Sequence, residues 1–85
     1  MKTVEIYTTP ICPFCIRAKR LLEQRGIPYI EIDVMMDRAR KAEMIERADG
    51  RRTVPQIFVG GEGIGGCDEL HALDRAGRLE TLLAA

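Results

Sequence analysis

The chain lacks net charge: thirteen Lys and Arg offset thirteen Asp and Glu among 85 residues. That removes the basic excess by which nucleic-acid binders announce themselves. No apolar run approaches the ~20 residues needed to cross a bilayer. The first residues, Met1-Lys2-Thr3-Val4-Glu5, lack the apolar stretch and cleavage site of a signal peptide, so a cytoplasmic location is expected. No repeat, low-complexity tract or linker interrupts the chain, and residues 1–85 are expected to form one small domain. Cysteine is scarce. There are three, an odd number, and two of them stand two residues apart. In a reducing compartment this excludes a structural staple and points to catalysis or metal binding.

What is present fits an ordinary folded domain, with 46% hydrophobic and 31% charged residues. Arginine outnumbers lysine, ten to three, and its planar fork suits carboxylate or phosphate ligands. Residues 3–8 alternate and are rich in β-branched and aromatic side chains, as a strand requires. Thr9-Pro10-Ile11 forms a loop. A helix follows from about Pro13 to Arg25, because proline suits the first helical position and Gly26 can close the last turn. Its apolar stripe is Cys15, Ala18, Leu21 and Leu22. A second strand spans 29–34. Asp37 caps a helix that ends near Asp49, before Gly50. Residues 56–59 read as a strand, Gly60-Gly61-Glu62 as a turn, and 63–66 as a short return strand. Asp68 is expected to cap a third helix to about Ala76, with a last helical turn after Gly77. The order is β-α-β-α-β-β-α, an α/β arrangement.

Cys12-Pro13-Phe14-Cys15 lies where a strand ends and a helix begins. The first helical N–H groups lack partners, and the helix dipole places partial positive charge there, which favours thiolate over thiol at Cys12. Easier ionisation also makes Cys12 a good leaving group, suited to transient disulfides. Cys15, one turn on and on the inner stripe, is expected to be less exposed and able to attack the Cys12 sulfur. A competing reading joins this pair to Cys67 and His71 as a zinc site. Thr53-Val54-Pro55 brings an extended residue before a proline. A cis bond there would turn a backbone edge toward the sulfur, whereas a trans bond would simply start a strand.

Gly61, Gly63 and Gly66 match the dinucleotide-binding fingerprint, yet only 19 residues follow Gly66. That is too few for the helix, second strand and acidic residue of such a unit, so a tight hairpin explains the glycines better. Asp68 serves either as a helix cap or, with adjacent N–H groups, as the holder of an amino-acid head group. Cys67 reads as a packing residue and His71 as a helix-surface side chain. Met35, Met36 and Met44 read as core fillers or surface.

In Val4-Glu5-Ile6-Tyr7-Thr8, Cys12-Pro13-Phe14-Cys15, Thr53-Val54-Pro55-Gln56-Ile57-Phe58 and Gly65-Gly66-Cys67-Asp68, the chain resembles the glutaredoxin family, in its short bacterial dithiol form. The resemblance covers essentially the whole chain. It implies a thioredoxin-like fold with a four-stranded mixed sheet flanked by helices. It implies a glutathione-dependent oxidoreductase that reduces protein disulfides and glutathionylated proteins, with Cys12 as nucleophile and Cys15 as resolving thiol. Pro55 would be cis, and Val54 would pair with glutathione like an added strand. Phe14, Thr53, Cys67 and Asp68 would complete the glutathione site, with Arg51 or Arg52 reaching the glycyl carboxylate. Glutathione would be a co-substrate, with no permanently bound cofactor and no metal. A monomer is expected, and ribonucleotide reductase is a client the family allows. Some relatives hold an iron–sulfur cluster between two subunits through the first cysteine and glutathione; Pro13, by resemblance, disfavours this. The absence of tryptophan near the cysteines argues against a thioredoxin-type reductase fed by a flavoprotein. Where members often carry a lysine shortly before the first cysteine this chain has Thr9, and where they often carry tyrosine it has Phe14.

Overall fold

The computed structural model describes residues 1–84; Ala85, the last residue of the expected domain, lies outside the described residues. The elements are β1 (Val4–Thr8), α1 (Pro13–Gln24), β2 (Ile30–Asp33), α2 (Arg38–Arg47), β3 (Gln56–Val59), β4 (Glu62–Gly65), α3 (Cys67–Arg75) and α4 (Leu79–Leu83). The four strands form one mixed sheet in the order β2-β1-β3-β4. β1 and β2 are parallel, and β1–β3 and β3–β4 are antiparallel.

Period-two alternation sends the strand side chains to two faces. Val4, Ile6, Ile57 and Val59 join Ala18, Leu21 and Leu22 of α1, Leu70 of α3, and Leu79 and Leu83 of α4 in the larger core. Tyr7, Phe58 and Ile32 face the other way and pack with Val34 and with Met44 of α2. Met44 and Phe58 are almost wholly buried, and each such side chain contributes about 1.5–3 kcal/mol. Met35 and Met36 are exposed.

Two helix starts behave differently from each other. Asp37 caps α2 as expected, accepting the Arg40 N–H at 3.0 Å. The expectation that Asp68 caps α3 is corrected: Gly66 is the cap, and Asp68 is the second residue of the helix. The reason is a reversed interaction. Glu69 reaches back to accept the Gly66 N–H at 2.7 Å, and this fixes the helix start two residues earlier. β4 likewise begins at Glu62 and ends at Gly65, one residue before the expected span.

Candidate active site

Cys12 is the N-cap of α1, with extended backbone dihedrals, and Pro13 occupies the first helical turn. Its sulfur accepts the Cys15 N–H at 3.2 Å, satisfying one of the orphan donors at the helix mouth. On its other side the Cys12 thiol donates to the Val54 carbonyl at 3.8 Å. The Val54–Pro55 peptide bond is cis. One sulfur therefore sits between a helix start and a turned-out backbone edge, the juxtaposition expected from two separate motifs.

Cys15 is the more deeply buried of the pair, 1% exposed against 7% for Cys12. Burial, and next its contact with Cys12, push the Cys15 thiol up to about 12; a Thr9 N–H and the Lys19 charge oppose the rise. Cys15 thus holds its proton at neutral pH.

An open groove of about 270 Å³ runs beside Cys12. Phe14, Thr53, Val54 and Pro55 line it together with Cys67, Asp68 and Arg51. Arg52 is exposed but outside the wall. Cavities of similar or larger volume lie beneath α4 and beside Arg47. Neither is lined by Phe14 or by Val54, whose carbonyl the Cys12 thiol meets, so contact with the cysteine motif singles out this groove where size does not.

Sequence reasoning missed Gly66 and Glu69, which also line the groove. A Cβ on Gly66 would lie 3.0 Å from the Pro55 carbonyl oxygen, so the mouth of α3 rests backbone to backbone on the cis proline. Glu69 holds the Gly66 N–H and approaches Arg51 at 3.4 Å. Those contacts keep its carboxyl below the usual range, the Gly66 N–H contributing most. The readable signal was a Glu three residues after a possible cap.

Cys67 is buried in the first turn of α3, and burial pushes its thiol up. His71 is half-buried rather than on the surface. Its Nδ1 lies 2.9 Å from the Cys67 carbonyl oxygen and 3.5 Å from the Cys67 sulfur. Among the described residues, no group of three or more His, Cys, Asp or Glu could hold a metal ion, so the proposed zinc quartet does not assemble. The fingerprint glycines have structural uses. Gly61 sits at φ 86° in the β3–β4 turn, and a Cβ on Gly63 would press on the Phe58 ring at 3.1 Å.

A family model described as Glutaredoxin matches residues 4–64. Glutaredoxin 3 of Escherichia coli K12 is 51% identical over 83 residues, which cover 98% of this chain and 99% of that protein. The solution structure of a glutaredoxin from Brucella melitensis superposes with a TM-score of 0.85 at 51% identity, covering 98% of this chain and 89% of the other. The crystal structure of a buckwheat glutaredoxin–glutathione complex superposes with a TM-score of 0.86 at 33% identity, covering 96% and 76%.

Proposed function

The chain belongs to the glutaredoxin family of glutathione-dependent oxidoreductases, and on that premise we propose that it reduces protein disulfides and glutathionylated proteins through Cys12 and Cys15. The observation that carries this reading is the Cys12 sulfur at the mouth of α1, receiving the Cys15 N–H and facing the Val54 carbonyl. Cys12, as thiolate, attacks one sulfur of the client disulfide, and the other client sulfur leaves with the electron pair. The mixed disulfide is then opened in one of two ways. Cys15 attacks the Cys12 sulfur and the client leaves as a thiol, or a glutathione thiolate does so. Two glutathione molecules restore the dithiol and leave as glutathione disulfide.

Glutathione lies in the groove. The Val54 backbone pairs with it as an added strand would, beside Thr53, Pro55 and Phe14. The first turn of α3, with Cys67 and Asp68, takes the γ-glutamyl head group at a helix N-terminus. Arg51, in the groove wall, takes the glycyl carboxylate in preference to Arg52. Support for glutathione as co-substrate comes from the solved relative that carries it. The protein works as a monomer in a reducing, cytoplasmic setting, on clients that its surface selects.

The test is a glutathione-coupled assay on two variants. Cys12→Ser loses both activities. Cys15→Ser retains deglutathionylation and loses most protein disulfide reduction. Full activity in Cys12→Ser ends this reading.

A further inference from the structure

A second polar cluster adjoins the cysteine pair. Lys19 follows Cys15 by four residues, so the two side chains leave adjacent turns on one side of α1, with Cβ atoms about 5–6 Å apart. Its ammonium is tethered, since the side chain is 26% exposed and donates to Glu31 Oε2 of β2 at 2.9 Å. The same carboxylate oxygen accepts the Thr8 hydroxyl at 2.8 Å. Thr8 is buried at the end of β1, just before the loop that leads to Cys12. Thr8, Glu31 and Lys19 therefore tie the strand entering the site to the helix that carries Cys15.

We propose that Lys19, fixed by Glu31 and Thr8, is a positioning residue for the resolving step, where its charge steadies the negative charge that builds on the Cys15 sulfur. The proposal rests on Cys15 being the resolving thiol. In that step the Cys15 proton passes to solvent and its sulfur bonds to the Cys12 sulfur. The Cys12–client bond breaks, and the client sulfur takes the electron pair and then a proton.

The surroundings of Cys15 explain why such help matters. Burial, a contact with Cys12 and the Cys12 charge raise the barrier to ionisation, while a Thr9 N–H and Lys19 lower it. Once Cys12 is tied into a mixed disulfide, its own hydrogen bond and charge are gone. Burial then remains on one side, with the Thr9 N–H and Lys19 on the other. The charged groups around this end of α1 are Cys12 at its mouth, Lys19 and Glu23 on the helix, and Glu31 on β2. On α3, Cys67 feels Asp68 and Glu69 of its own helix, Arg17 of α1 and Cys12. Lys19 is the one side-chain cation acting on Cys15 among these groups.

Rapid mixing of the reduced protein with an aromatic disulfide, 5,5′-dithiobis(2-nitrobenzoate), separates the two attacks. The first coloured thiolate reports Cys12 and the second reports Cys15. Lys19→Gln is expected to slow the second phase about fivefold at pH 7 and leave the first unchanged. The pH at which the second phase reaches half its maximum moves upward, and Lys19→Arg restores both rate and profile. An unchanged second phase in Lys19→Gln overturns the proposal, as does equal slowing of both phases. A failure of the functional reading looks different: both phases would persist in Cys12→Ser, whatever residue stands at 19.

Discussion

At the scale of single residues, Arg51 and Arg52 are adjacent in sequence and alike in chemistry, and the fold separates them. Arg51 lines the groove and meets Glu69, whereas Arg52 does not join the wall. Arg51→Ala is therefore expected to raise the KM for glutathione about threefold to tenfold, the range for one half-exposed charged hydrogen bond. Its kcat should hold, because no bond is made or broken near this guanidinium. Arg52→Ala should leave both constants where they were. A steady-state titration of glutathione against the three proteins checks this, and equal effects of the two substitutions would contradict it.

Several site residues were legible in the sequence because their chemistry is local. A proline directly after Cys12 marks a helix start, and the helix start defines where the sulfur sits. Pro55 marked an extended edge for the same reason. Glu69 was not legible in this way. Its value comes from reaching back to Gly66 and across to Arg51, and the second contact spans 18 positions. The partnership of Lys19 with Glu31 was equally hidden, since it depends on β2 lying parallel beside β1.

At the scale of elements, α2 presents a different problem from α1. Its only fully buried side chain is Met44, and half-buried Ile45 packs against the same core, so little apolar surface anchors it to the sheet. Arg47 supplies the rest. Its guanidinium lies 4.2 Å from the centre of the Phe58 ring, donates to Tyr7 Oη at 2.7 Å and forks onto Glu5 at 2.9 and 3.2 Å. Tyr7 Oη in turn donates to Glu43 of the same helix. The strand at β1 followed from the alternation of residues 3–8. This clasp did not, because an arginine near a helix end reads as a solvated charge until Phe58 is found beneath it.

Arg47→Lys keeps the charge but loses the planar stacking and the fork. It is expected to lower unfolding free energy by about 1–2 kcal/mol, combining a cation–π contact with a charged hydrogen bond. Urea denaturation followed by circular dichroism measures this. An unchanged midpoint would mean that the apolar contacts of Met44 and Ile45 hold the helix without it. Activity should fall far less than stability, because α2 contributes no wall to the groove.

At the scale of the whole molecule, thirteen charges of each sign cancel, so self-repulsion does not set the response to pH near neutrality. Individual shifted groups set it instead, and they act at both ends. Glu5, Glu31 and Glu69 ionise more readily in the folded chain, held by Arg47, Lys19 and the Gly66 N–H respectively. In the acid range the unfolded chain binds more protons than the folded one. Their stabilising effect is complete above the ordinary carboxylate range near pH 4.3 and is lost as pH falls through their lower folded values.

The alkaline limb has the opposite origin. Cys15 is pushed up to about 12 chiefly by burial, and Tyr29 to about 12 by its hydrogen bond to Glu23. An unfolded cysteine ionises near pH 8.5 and an unfolded tyrosine near 10, so above those values the folded chain retains protons that the unfolded chain gives up. Stability should be level from about pH 6 to 8 and decline from about pH 9 toward 12. Cys15→Ser removes one of the two buried thiols, Cys15 and Cys67, that begin this loss. Its unfolding midpoint in urea should therefore fall less steeply than that of the parent from about pH 9, where Cys67 and the tyrosines remain to drive the loss. Identical alkaline limbs for the two proteins would mean that the buried sulfur ionises as it does in an unfolded chain, and would leave Lys19 nothing to assist.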